Sequence, residues 1–175
     1  MTNRLQTPLF YLFLLVLVLA PLPLGSNREW SWSLCALLVG VIGIGWAVIR
    51  TAGIVAGEPH AGRGTYRPYG ASMSTLAILF LAVVGWGLFQ AQGFAPAGWA
   101  HPLWGMASEA LNGDAGALAG RISLATDETL TATMRLLSYG LVFVLAFTWG
   151  RDERRARRTL QGLVAGGIVY AVYGL

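Results

Sequence analysis

The sequence contains no lysine, one cysteine, two histidines and only 11% charged residues. A soluble domain carries about 25% charged residues, so this chain has too little polar surface to face water on all sides. Because Cys35 is the only cysteine, a disulfide or a cysteine metal cluster within the chain is excluded. The hydrophobic share is 55% and the mean hydropathy is +0.59. The composition therefore predicts a polytopic membrane protein rather than a water-soluble enzyme or a disordered chain.

The apolar residues come in five long blocks, each close to the roughly 17–25 residues that a helix needs to cross a bilayer. They predict one all-α transmembrane domain over residues 1–175. Its five spans are expected at residues 8–24, 33–50, 73–90, 134–150 and 159–175. Pro21 and Pro23 stand where a signal-peptide cleavage site needs small residues, so the first block is interpreted as an uncleaved anchor. Gly162 and Gly166 in the fifth block form a GxxxG pair, and we expect their face to pack against another helix.

The twelve basic residues are all arginines, and they lie unevenly about these spans. Only Arg28, Arg121 and Arg135 fall on the side opposite the N-terminus. The other nine are Arg4, Arg50, Arg63, Arg67, Arg151, Arg154, Arg155, Arg157 and Arg158. By the positive-inside rule, the N-terminus is cytoplasmic and the long connection at residues 90–133 is external. This placement accounts for the basic charge by topology, so no nucleic-acid partner is expected.

The long connection contains aromatic residues that suit the membrane interface, including Trp99 and Trp104. Ser108 is a candidate start for a short interfacial helix. Thr126, followed by Asp127 and Glu128, predicts the start of the fourth long helix outside the membrane, since acidic residues complement the helix dipole. The connection is therefore expected to lie along the membrane.

The orientation is testable with topology reporters. We expect a reporter fused after Arg158 to be active only in the cytoplasm, and one inserted at Gly113 to be active only outside, because of the nine-to-three distribution of arginines. A cytoplasmic reporter at Gly113 would reverse the assignment.

Few residues are candidates for chemistry. The cluster of Arg151, Arg154, Arg155, Arg157 and Arg158 either binds lipid phosphates or only sets topology as a cytoplasmic turn. His60 and His101 lie in loops on opposite sides of the membrane and cannot share a metal ion. The sequence contains no pair of catalytic carboxylates, no nucleophile with its base and no metal-ligand cluster, so no cofactor or metal is expected.

Several segments resemble bacterial O-antigen ligases and related polymerases, and the resemblance covers nearly the whole chain. The turn after the first block reads PLPLGSNREWSW at residues 21–32. The other matching segments are GRISL at 120–124, LLSY at 136–139, RDERRARR at 151–158 and GIVYAVYGL at 167–175.

The resemblance implies a bacterial inner-membrane protein that transfers or polymerises glycans carried on undecaprenyl pyrophosphate at the periplasmic face. In that family the catalytic arginines and histidine lie in later helices and a large periplasmic loop, so no catalytic residue is carried over to this chain. Arg28, Arg121 and Arg135 are its candidates for binding the lipid-linked pyrophosphate. The chain is then the N-terminal membrane portion of such an enzyme and is inactive alone. The alternative is a non-catalytic accessory subunit packed against a larger inner-membrane complex.

Overall fold

The computed structural model describes residues 2–21, 29–57, 70–93, 96, 98–110 and 120–173. Within these ranges all regular secondary structure is helical, with six helices and no strand, which confirms the predicted all-α class. The helices are α1 (Thr2–Leu19), α2 (Glu29–Val55), α3 (Gly70–Ala91), α4 (Pro102–Ala110), α5 (Thr126–Gly150) and α6 (Glu153–Tyr173).

Three helices are long and apolar enough to cross a membrane, over Trp30–Val55, Met73–Ala91 and Thr126–Gly150. They contain the second, third and fourth predicted spans. A shorter apolar helix covers Leu5–Leu19, and α6 opens with four arginines within its first six residues. Large apolar side chains such as Leu81 are exposed along these helices, as expected for surfaces that face lipid. The chain is a membrane protein on these grounds, while the fivefold span count and the orientation stay predictions.

Most helices begin or end a few residues away from the predicted spans, and two of the differences have a clear physical cause. Helix α1 ends at Leu19 instead of residue 24, because Pro21 disfavours helical backbone at the residue before it. The prediction of a short helix starting at Ser108 is wrong, since α4 begins at Pro102 and Ser108 lies near its end. Proline fits the first turn of a helix, where its missing N–H is not needed. Helix α5 starts at Thr126 with both acidic residues in its first turn, as expected.

The described residues form two compact units. The first unit comprises Met1–Gly64 and Ser138–Leu175, and the second comprises Thr65–Leu137. The buried core of the first unit combines aromatic and branched side chains from three helices. Its members are Phe10, Phe13 and Val16 from α1, Val39 and Ile42 from α2, and Leu145 and Trp149 from α5.

Helix α1 packs against α2 and α6 in the first unit. Along α6, Arg155 meets Phe10, Gly162 meets Leu14 and Gly166 meets Val18. Because residue numbers rise together on both helices, α1 and α6 run parallel. Their N-terminal ends therefore lie at the same end of this unit, together with the connection between α5 and α6.

Candidate functional site

The connection between α5 and α6 is only two residues long and is fixed by a carboxylate cap. Asp152 Oδ1 accepts hydrogen bonds from the backbone N–H groups of Arg154, at 2.9 Å, and Arg155, at 3.3 Å. An aspartate at this position satisfies N–H groups that the first helical turn leaves without partners. Its second oxygen, Oδ2, lies 3.9 Å from Arg155 Nε. Asp152 thus starts α6 and places its arginines immediately after the turn.

Several of these arginines lie over aromatic rings. Arg151 lies 4.9 Å from the ring centre of Phe147, Arg155 lies 5.7 Å from that of Phe10, and Arg158 lies 5.8 Å from that of Tyr11. Arg158 Nη1 also donates a 2.7 Å hydrogen bond to Tyr11 Oη. Each contact is a cation–π interaction, which favours a cation over the ring face. Arg151, Arg155 and Arg158 with these rings are called the arginine end below.

Arg154 and Arg157 complete the predicted cluster and are both exposed on the first turns of α6. Arg50, near the end of α2, lies 5.5 Å from the ring centre of Trp46. Aromatic rings and arginines that share one level of a membrane protein are typical of the bilayer interface, where the ring is partly buried and the charge stays wet. The arginine end therefore has the composition of a surface that meets lipid headgroups.

The two glycines of the GxxxG pair lie where α6 approaches α1. A methyl group placed on Gly162 would lie 3.1 Å from Leu14 Cδ1, and one on Gly166 would lie 2.9 Å from Val18 Cγ1. One turn further along, the Tyr170 hydroxyl donates a hydrogen bond to the Val18 carbonyl. Glycine leaves room for this close approach because it has no side chain.

Arg121 lies in the second unit and is held by a folded segment ahead of α5. Its Nη1 donates to Thr126 Oγ1 at 3.2 Å, and its carbonyl accepts from the His101 backbone N–H at 2.9 Å. Ser123 N–H donates to the Gln90 carbonyl at the end of α3, at 3.1 Å. The two backbone bonds tie residues 120–126 to the end of α3 and to the start of α4, and the bond to Thr126 orients the guanidinium.

The other two arginines predicted to bind pyrophosphate are Arg28 and Arg135, and the structure does not bring either of them into contact with Arg121 among the described residues. Arg135 is half-buried on α5, nine residues after Thr126, which is about 13 Å along the helix axis. Arg28 lies outside the described residues. Arg121 and Arg135 therefore belong to the same unit but sit at different depths along α5.

His101 has a structural role at the start of α4. Its Nδ1 accepts a hydrogen bond of 3.3 Å from Leu103 N–H, and its carbonyl accepts one of 3.0 Å from Trp104 N–H. The other histidine, His60, lies outside the described residues. In the part of the chain that the structure describes, no group of three His, Cys, Asp or Glu side chains is placed to hold a metal ion.

Aromatic rings cluster beside the segment that holds Arg121. Trp86 and Phe89 stack with ring centres 5.8 Å apart, and Trp99 meets both rings edge-on at 6.4 and 6.3 Å. Trp86 and Trp99 are also exposed. A half-exposed aromatic cluster at the end of an apolar helix suits the headgroup region, as the sequence suggested for Trp99.

The residues that sequence reasoning missed are the ring partners and the tyrosine that joins α6 to α1. They are Phe10, Tyr11, Phe147 and Tyr170. Arg151 follows Phe147 by four residues on a helical stretch, so that pair has a readable spacing. Comparison of the chain with protein-family models, curated proteins and solved structures gives no match.

Proposed function

We propose that this chain is the N-terminal membrane portion of a bacterial inner-membrane enzyme that ligates or polymerises glycans carried on undecaprenyl pyrophosphate. The observation that carries the proposal is the hydrogen-bonded position of Arg121, on the side that the arginine distribution predicts to be external. Its hydrogen bond to Thr126 orients the guanidinium, and its carbonyl bond to His101 ties it to the segment that carries Trp99 of the exposed aromatic cluster.

Transfer of a glycan from a lipid pyrophosphate needs two things from the protein. Fixed cations must stabilise charge on the departing pyrophosphate, and a base must take the proton of the acceptor hydroxyl. Arginine suits the first task, because its planar guanidinium forms paired hydrogen bonds to phosphate oxygens. Arg121 provides part of that first requirement, and the family resemblance places the base beyond this chain. The proposal therefore includes that the chain alone is inactive.

The test compares glycan transfer by the 175-residue chain with transfer by a longer form of the protein, using undecaprenyl-pyrophosphate-linked glycan and acceptor. The chain alone should give no product above background. In the longer form, Arg121→Gln should weaken binding of the lipid pyrophosphate about 10- to 100-fold, because a hydrogen bond to a charged group contributes ~1.5–3 kcal/mol. Arg157→Gln is the matched control, because it removes the same charge from an exposed position of α6 in the other unit.

Two results would overturn the proposal. Turnover by the short chain would mean that a catalytic site exists among residues assigned here to structure. Equal binding by Arg121→Gln and Arg157→Gln proteins would mean that Arg121 does not contact the pyrophosphate. A reading frame that continues past Leu175 into further spans and a loop rich in arginine and histidine would support the enzyme assignment.

The second candidate is a non-catalytic accessory subunit of a larger inner-membrane complex. The observation in its favour is an exposed apolar stripe on α2, made of Leu37, Val41, Ile44 and Val48. Their spacing of three and four residues places them on one face of the helix, which is suited to another helix as well as to lipid. Stable co-purification with a larger membrane protein, together with a stop codon after Leu175, would favour this role over the enzyme.

A further inference from the structure

An apolar groove of about 870 Å³ runs between α1 and α6 in the first unit. Its walls are formed by Leu12, Leu15 and Leu19 from α1 and by Ala165 and Val169 from α6. Gly162 and Gly166 also line it, at the positions where the two helices come closest. The wall leucines and Val169 are exposed, so the groove opens outward along its length.

Cross-helix hydrogen bonds mark the two ends of this groove. At one end, Tyr11 lines the groove and accepts the 2.7 Å hydrogen bond from Arg158. Towards the other end, Tyr170 lines it and bonds to the Val18 carbonyl. The groove is therefore apolar along its length, and the Arg158 guanidinium lies beside its open end at Tyr11.

The length of the groove matches one leaflet of a bilayer. From Pro8 to Leu19, α1 rises roughly 16 Å at 1.5 Å per residue. Half of a hydrocarbon core of about 30 Å is about 15 Å. Its volume also lies within the ~300–1,000 Å³ of pockets that hold small molecules. A single acyl chain that enters from the arginine end would lie along the groove and finish near Tyr170.

The charge at the mouth selects the headgroup. Arg154 and Arg158 are exposed and lie one turn apart on the same side of α6, so their guanidinium groups can reach one phosphate. Arg158 donates one N–H to Tyr11 and keeps further donors for a ligand, since arginine carries five. Basic pockets between membrane helices are known binding places for anionic lipid headgroups.

We propose that the groove between α1 and α6 binds an anionic glycerophospholipid of the surrounding bilayer, with one acyl chain along the wall leucines and Val169 and the phosphate on Arg154 and Arg158. The proposal requires α1 and α6 to lie in the membrane, but it does not depend on the glycan chemistry proposed above. It goes beyond a topological role of the arginine cluster, because it assigns Arg154 and Arg158 to the phosphate of one bound lipid.

The first part of the test measures the headgroup. The full chain is purified in detergent, mixed with phosphatidylglycerol or phosphatidylcholine, and bound lipid is counted by native mass spectrometry. We expect preferential retention of phosphatidylglycerol, and a loss of about tenfold in Arg158→Gln, because a hydrogen-bonded charge contributes that factor or more. Arg157→Gln removes the same charge from the neighbouring position and should retain the lipid. Tyr11→Phe should give an intermediate loss, because Arg158 keeps its charge but loses the hydrogen bond that positions its guanidinium at the groove.

The second part measures the acyl chain. Ala165→Phe should fill the groove and lower phosphatidylglycerol binding, whereas Ala171→Phe makes the same change at an exposed position of α6 that does not line the groove. Circular dichroism and thermal melting identify any variant that fails to fold, and Val169→Phe then replaces Ala165→Phe as a second groove-filling change.

Each outcome decides the proposal. Losses in Arg158→Gln and the groove-filling variant, with a smaller loss in Tyr11→Phe and none in Arg157→Gln or Ala171→Phe, support it. Equal losses in Arg157→Gln would show that general surface charge holds the lipid, which contradicts a site. Unchanged binding in a folded groove-filling variant would show that the acyl chain lies elsewhere. A change in oligomeric state with Ala165→Phe would assign the groove to a second copy of the chain and would overturn the lipid proposal.

Discussion

Gly166→Leu is expected to lower the free energy of unfolding by roughly 1–3 kcal/mol, which is the usual cost of overpacking a closed contact. Gly166 is buried, and a methyl group at this position would lie 2.9 Å from Val18 Cγ1. Valine is branched at Cβ and has little rotamer freedom in a helix, so it cannot turn away. Helix α6 would have to move from α1, which also weakens the bond from Tyr170 to the Val18 carbonyl.

Gly167→Leu is the matched control, because a methyl group at Gly167 would meet no atom within 4 Å. Replacing an exposed helical glycine also removes a helix-weakening residue, which is worth about 0.5–1 kcal/mol relative to alanine. We therefore expect Gly167→Leu to melt at the same temperature as the unmodified protein or slightly above it. Thermal melting of both variants in one detergent is the measurement. If Gly166→Leu melts like Gly167→Leu, the GxxxG face is not a packing contact.

The positions of the long helices could be predicted because membrane helices are marked by one-dimensional composition. A block of apolar residues must satisfy its backbone hydrogen bonds internally, so it becomes a helix whatever its neighbours are. The predicted blocks accordingly lie within α2, α3 and α5 and overlap most of α1 and α6. The start of α5 was also readable, because Thr126 and the two acids after it form a local signal.

The start predicted for the short helix α4 is wrong because the true start depends on two adjacent residues, His101 and Pro102. Pro102 supplies the backbone angle of the first turn, and His101 supplies an acceptor for Leu103 N–H. Histidine is a less usual cap than serine or aspartate, so the sequence alone favours Ser108 as the start of the helix. A proline directly after a polar residue was the signal available in the sequence.

Some contacts between arginines and aromatic rings can be predicted from the sequence, and others cannot. The pairs Arg50 with Trp46 and Arg151 with Phe147 are four residues apart, so helical geometry alone predicts them. The bond from Arg158 to Tyr11 joins residues 147 positions apart, and no local spacing indicates it. It depends on the parallel packing of α1 and α6, which the glycines suggested without identifying the partner helix.

Trp149→Ala is expected to destabilise the first unit by about 3–5 kcal/mol, as large-to-small changes of buried aromatics do. Trp149 is only 2% exposed and is in contact with the rings of Phe10 at 5.8 Å and Phe13 at 5.1 Å. Lipid is as apolar as the core, so the loss comes from packing contacts and not from transfer out of water. Truncation leaves a cavity whose lining atoms lose their partners.

Two further variants separate the causes of that loss. Trp149 Nε1 is buried and has no hydrogen-bond partner among the described residues, so Trp149→Phe should lose ring volume but no hydrogen bond. Its cost should therefore be well below that of Trp149→Ala. Trp30 is 61% exposed, and Trp30→Ala should change stability by no more than about 0.5 kcal/mol. Equal costs of Trp149→Phe and Trp149→Ala in melting measurements would contradict the packing explanation, because the phenyl ring restores most of the volume that alanine removes.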